Sequence, residues 1–215
     1  MNNLTELAFI LDQSSSMHGL EAETLSGYNS MLDKQKLMYA PCRVSTFLFD
    51  NTTRIIHDRA DIKQVPRMKA EQYRPQGYTA LLDAVGLAID RIGYTQKYTP
   101  PQQRAESVMV VIITDGMENA SRHYSLPRIR HMIEHQRKNF GWEFIFLGAN
   151  IDAVNTASSY GIHPDCASDY IADSQGTQLS FDAVADVVSS FRRKEADFAR
   201  QLDRVRHDQR QRVGH

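Results

Sequence analysis

The chain has 215 residues, with 25 Lys and Arg against 26 Asp and Glu, 41% hydrophobic and 24% charged residues. This ordinary globular composition excludes disordered, collagen-like and coiled-coil classes, and the length suggests a single domain whose core needs no covalent staple. A net charge of −1 excludes a general electrostatic pull toward nucleic acid or membrane, so function has to come from a local constellation.

Only Cys42 and Cys166 occur, too few for a zinc site or a disulfide framework, which predicts quiet thiols in a reducing compartment. The longest apolar run, Val108–Ile113, is six residues. A bilayer needs roughly 20, and the start Met1-Asn2-Asn3 carries no positive signal-peptide flank, so a soluble cytoplasmic protein is expected.

Four apolar runs, Leu7–Leu11, Val44–Phe49, Val108–Ile113 and Phe144–Leu147, are bounded by Asp, Asn or Gly and predict strands buried on both faces. Helical spacing falls between them, in Leu25, Tyr28, Met31 and Leu32, then Leu81 to Ile92, then Ile129, Met132 and Ile133. Strand and helix alternate, which predicts an α/β fold: a doubly wound, mostly parallel sheet with helices on both faces. Over Val44–Val65 the turn residues Asp50-Asn51-Thr52-Thr53 leave no room for a helix, so this stretch predicts a hairpin and one antiparallel edge strand.

Further on, Ala153–Tyr160 predicts a short helix and Asp169–Ala172 a last strand. Ser180 is expected to cap a helix carrying Phe181, Val184, Val188 and Phe191, which continues through Phe198, Leu202 and Val205. Residues 192–212 hold eight Arg or Lys and four Asp or Glu, leaving this tail at +4 and the remainder at −5. The expected division is a domain over 1–192 and a basic helical extension over 193–215, the interleaved acids favouring a solvated amphipathic face.

In a doubly wound sheet the ligand crevice opens at the carboxyl ends of the strands, where strand order reverses. The first strand ends in Asp12-Gln13-Ser14-Ser15-Ser16, and the run Val108–Thr114 ends in Asp115-Gly116. Gly77-Tyr78-Thr79 precedes a predicted helix on the same edge. Two carboxylates and three hydroxyls, with no His or Cys nearby, suit a hard cation such as Mg²⁺ better than zinc. With only two carboxylates and neutral hydroxyls around a dication, such a site keeps an unsatisfied coordination position that welcomes an external carboxylate.

Asp12-x-Ser14-x-Ser16, then Thr79, then Asp115-Gly116 resemble the metal-ion-dependent adhesion site of von Willebrand factor type A domains, and the resemblance extends over roughly residues 4–192. It implies a Rossmann-like fold of the small stand-alone bacterial type. It further implies Mg²⁺, or Mn²⁺, held by Ser14, Ser16 and Thr79 through hydroxyls and by Asp12 and Asp115 directly or through water. A partner protein's Glu or Asp would complete the coordination. Asp83 is the implied outer support, with Glu118 and Asn119 at the mouth, and the helix near Phe181–Phe191 is implied to shift with occupancy. Position 15 departs from the family motif, with Ser where Gly is usual.

Other readings are weaker. His131-Met132-Ile133-Glu134-His135 fits the H-x-x-E-H protease string, but at 100° per residue both imidazoles lie opposite the stripe of Leu126, Ile129 and Ile133 and should face solvent. A Mg²⁺-dependent phosphohydrolase using Asp12 lacks the second carboxylate two residues on and a Lys for the phosphoryl group. An RNA-associated scaffold using the basic tail lacks aromatic platforms beyond Phe198, so nucleic-acid binding and catalysis are both disfavoured.

Overall fold

The computed structural model describes residues 3–195 and 197–213. The apolar runs form strands β1 (Thr5–Asp12), β2 (Cys42–Phe49), β4 (Ser107–Thr114) and β5 (Glu143–Gly148), and every residue of β1 is buried, as continuous apolar character requires. The hairpin is present: Asp50–Thr52 turns β2 into β3 (Thr53–Asp61), which pairs antiparallel at the sheet edge. With β6 (Ala167–Asp169) the order is β3-β2-β1-β4-β5-β6, all other pairs being parallel. Order therefore reverses between β1 and β4, and this is where a crevice opens.

Helices α1 (Glu21–Lys36) and α5 (Ser174–Arg193) pack together, as do α2 (Leu81–Tyr98) and α3 (Leu126–Phe140), and right-handed crossovers in opposite directions place the two pairs on opposite faces. The short α4 (Ala153–Ser159) follows β5, close to its expected limits. Between α1 and α5 the fit is tight: a Cβ on Gly27 would lie 2.6 Å from the Phe181 ring, so only glycine lets these helices approach. Glu6, inside β1 and fully buried, is answered by the Arg59 guanidinium at 3.0 Å and by Gln96 at 2.6 Å.

Three boundaries differ from expectation. The last strand is Ala167–Asp169 in place of Asp169–Ala172, and beyond it Asp173 caps α5, its carboxylate accepting Gly176 N–H at 2.8 Å. Helix α5 thus starts at Ser174. Ser180 is an interior residue whose hydroxyl returns to the Thr177 carbonyl at 2.7 Å. The polar run Ser174–Gln178 reads as loop by composition, and the cap overrides it.

Nor does α5 continue into the tail. Lys194 takes the left-handed conformation (φ 61°) and closes it, Glu195 N–H bonding Ser190 O at 2.9 Å. A separate helix, α6 (Phe198–Val213), folds back with Leu202 and Val205 buried. Its arginines grip the domain: Arg206 donates to the carbonyls of Pro164, Asp165 and Ala167, Arg204 pairs with Asp186 at 2.7 Å, and Arg212 pairs with Asp173. The helix is amphipathic as expected, with Arg200, Asp203, His207 and Arg210 exposed, but its apolar side packs on the domain. Among the described residues no helix is long and apolar enough to cross a membrane.

A measurable cost follows for a residue that a solvated extension would leave neutral. Leu202→Ala should lower unfolding stability by about 2–4 kcal/mol, read as a fall in denaturant midpoint at unchanged slope. An unchanged midpoint would show that α6 does not pack as described.

Candidate metal centre

Asp12 ends β1 and Asp115 follows β4, so two neighbouring parallel strands deliver their carboxylates to one edge, each residue only 1% exposed. The Asp12 carboxylate is held on both sides: Ser14 N–H donates to Oδ1 at 2.7 Å and Thr114 Oγ1 to Oδ2 at 2.6 Å. Its main-chain carbonyl accepts the buried Tyr73 hydroxyl at 2.6 Å. Burial pushes the Asp12 carboxyl above its ordinary range, the bonds from Ser14 and Thr114 opposing this.

Asp115 is less well compensated. Ser16 Oγ donates to its Oδ1, while the buried Oδ2 has no hydrogen-bond partner. Burial raises this carboxyl to about 6 against the Ser16 bond, with the Asp12 charge adding to the rise.

The hydroxyls converge on the same spot. Ser14 Oγ and Ser16 Oγ are 3.0 Å apart in the turn after β1, a single 3₁₀ turn over Ser15–Met17. The chain at 76–79 is strapped to that turn through Gln76 N–H to Gln13 O at 2.8 Å and Ser15 N–H to Gly77 O at 3.1 Å. A Cβ on Gly116 would meet Thr79 Oγ1 at 3.3 Å and Ser16 Oγ at 3.5 Å, so both hydroxyls border one small space beside Asp115. Thr79 does not cap α2. That end is served by a loop instead, Glu118 accepting Leu82 N–H at 2.8 Å and Ser121 Oγ accepting Asp83 N–H at 3.0 Å, and Thr79 Oγ1 makes no hydrogen bond among the described residues. The departure at position 15 is accommodated: Ser15 is exposed and its φ is not positive, so its Cβ brings no strain.

Asp12, Ser14, Ser16, Thr79 and Asp115 are thus brought together, whereas the residues expected around them have other partners. Asp83 accepts the N–H groups of Arg122, His123 and Tyr124, each at 2.9 Å. Although burial opposes it, these bonds hold its carboxyl below the ordinary value. Glu118 also receives Ala120 and Ser121 N–H, and Asn119 exchanges two bonds with the Thr79 backbone at 2.9 and 3.0 Å. These three residues tie the loop after β4 to the start of α2.

Thr114, Tyr73 and Asp50 were not anticipated. Asp50 accepts from Gln13, Gln76 and Thr52, fixing three loops at once. Thr114, a polar end to an apolar run beside an aspartate, carried a signal, and Tyr73 lies in a stretch with no period to read. His131 and His135 are exposed on α3, their rings 6.2 Å apart, and Glu134 pairs with Arg130 at 2.8 Å, so the protease string is a solvated helix face.

A hard dication fits this donor set: all five side chains offer oxygen, and one buried carboxylate oxygen lacks a partner. Among the described residues no three His, Cys, Asp or Glu side chains gather as a metal cluster, so the carboxylate count here stays at two.

No family profile matches the chain, and no curated protein matches it in sequence. Its structure is similar to several solved ones. Against proximal thread matrix protein 1 of the mussel byssus the TM-score is 0.59 at 14% identity, covering 86% of this chain and 46% of that one. The same mussel protein has been solved with a zinc-occupied MIDAS motif, at TM-score 0.57. The pilus adhesin SpaC of Lactobacillus rhamnosus GG gives 0.65 at 12% identity over 85% of this chain and 30% of that one, and BatB of Bacteroides thetaiotaomicron 0.56 at 14% over 88% and 99%. The chain therefore spans under half of the mussel and pilus structures and nearly all of BatB. Six strands in this order, one antiparallel edge and helices on both faces identify the chain as having the fold of a small von Willebrand factor type A domain.

Proposed function

We propose that this is a non-catalytic, metal-dependent protein-binding module. Mg²⁺, with Mn²⁺ as the alternative, is held by Asp12, Ser14, Ser16, Thr79 and Asp115 and captures a Glu or Asp of a partner protein. The observation that carries this reading is the buried Asp115 Oδ2 without a partner, beside hydroxyls of Ser16 and Thr79 that border the same space. A buried carboxylate left so is costly, and a cation removes the cost. The metal, when bound, would supply a centre whose charge the two carboxylates formally balance and whose other ligands are neutral hydroxyls, leaving a coordination position for an external carboxylate. An all-oxygen set favours Mg²⁺ over zinc for this chain, while the zinc-occupied site of the mussel protein supports a divalent ion in this kind of position.

The alternatives have less support. Both oxygens of Asp12 accept hydrogen bonds inside a 1% exposed residue, a poor arrangement for a nucleophile attacking a phosphoester. Arg204, Arg206 and Arg212 of the tail are engaged with Asp186, backbone carbonyls and Asp173, which leaves fewer of its cations to meet RNA phosphates.

Saturating Mg²⁺, at a hundredfold excess over Kd, should add about 2.7 kcal/mol of stability. For a domain of this size that is a rise in Tm of roughly 5–10 °C. Ser14→Ala and Asp12→Ala should abolish the rise, and a chelator-stripped protein that takes up neither Mg²⁺ nor Mn²⁺ in a calorimeter would sink the proposal.

Asp115→Asn should act with opposite signs in the two states: in chelator the variant is more stable than the parent by about 1–3 kcal/mol, while its Mg²⁺ response is lost. Because the folded carboxyl sits at about 6 and the ordinary value is 3.8, the folded state keeps a proton that the unfolded chain has released. The parent's chelated stability therefore declines as pH rises from about 4 through about 6. The gap between parent and variant should be small at pH 4 and widest at pH 7.

A further inference from the structure

Two large apolar side chains stand in solvent at the mouth of the site. Tyr78 is 66% exposed and Met117 71% exposed, the first preceding Thr79 and the second following Gly116. The paired bonds between Asn119 and Thr79 hold their two segments side by side. Lone exposed apolar residues are commonplace, and these matter only because of what adjoins them. A groove of about 840 Å³ lies between the β2–β3 turn and the start of α3, with Asn51, Ala120, Arg122 and His123 in its wall. Asn51 accepts Tyr78 N–H at 2.8 Å and Ala120 follows Asn119, so the groove adjoins the lip that Tyr78 and Met117 form.

The charge in this groove is lopsided. Asp83 lines it, but three backbone N–H groups satisfy its carboxylate. Arg128 lies over the Tyr124 ring at 4.5 Å and 4.0 Å from Asp90, which also accepts the Tyr124 hydroxyl at 2.6 Å. The Arg122 guanidinium has neither an ion pair nor a hydrogen bond among the described residues. A cation at the site would offer an open ligand position to a carboxylate and Arg122 adds an unpaired positive charge in the groove, which together select an acidic occupant. Tyr and Met beside Arg are residue types enriched where proteins meet.

Building on the metal-dependent reading above, we infer that the occupant is an extended acidic segment of a partner protein. One carboxylate reaches the metal, apolar residues on its flanks rest against Tyr78 and Met117, and a second acidic residue further along meets Arg122.

An array of short peptides with a fixed central Glu and every other position varied, probed with the full chain in Mg²⁺ or chelator, tests this. Retained peptides should carry Leu, Ile or Phe beside the Glu and a second Asp or Glu to one side only. Tyr78→Ser and Met117→Ser should each weaken the retained peptide at least about tenfold, and Arg122→Glu should remove the preference for the second acid. All three side chains are exposed, so the Mg²⁺-induced rise in Tm should persist in each variant. An array that retains nothing, peptides without apolar flanks, or variants that bind like the parent would overturn the inference while a persisting Mg²⁺ rise leaves the metal reading standing. Apolar-flanked acidic peptides retained without any Mg²⁺ response would instead keep the lip and groove and reject the metal.

Discussion

Two carboxylates withdrawn from water at the ends of adjacent parallel strands govern the rest of this molecule. Asp12 and Asp115 are forced together by the pairing of β1 with β4, at the point where strand order reverses. Like charges in so dry a place repel, and among the described residues neither has a cationic side chain hydrogen-bonded to it; the dipoles of Ser14, Ser16 and Thr114 are what the fold provides. Asp12 is nearly satisfied by them. Asp115 is not, and that asymmetry makes the edge receptive, on the proposed reading, to a dication.

Around this pair, charged side chains serve as architecture. Asp50, Asp83 and Glu118 each accept several donors from loops around the cluster. They splice the turns after β1, β2 and β4 to the start of α2, so the hydroxyls of Ser16 and Thr79 arrive from separate parts of the chain yet border one space. Rigid placement lowers the cost of gathering neutral oxygens, which attract a cation less strongly than carboxylates do.

Strands β1, β2, β4 and β5 were legible because their apolar runs are long enough for buried strands, and Asp12, Ser14, Ser16 and Asp115 because polar residues stop two of those runs at one sheet edge, whereas Thr79 stood out only by its place before α2. The roles of Asp83 and Glu118 were not legible. A helix's second or third residue and a loop acid say nothing of the backbone groups they will meet from forty residues away. The start of α5 differs from expectation because two residues of a polar stretch, Asp173 and Gly176, decide it through one hydrogen bond and one close approach, a Cβ on Gly176 falling 2.1 Å from Ile171 O. The break at Lys194 left no mark in the pattern either, since a lysine in the left-handed region looks like any helical lysine. Spacing on both sides of it is helical, so periodicity alone reads straight through.

That break has a mechanical consequence. By turning the chain back, it lays α6 along its predecessor like a splint: Arg212 clasps the first turn of α5 at Asp173, and Arg204 meets Asp186 midway, where Lys34 of α1 also reaches. Axial travel of α5 would have to part these ion pairs together and drag Leu202 and Val205 from their seats. The helix implied to respond to site occupancy is thereby joined to α6 at its first turn and at its middle, so any axial travel of α5 either carries α6 with it or breaks these contacts.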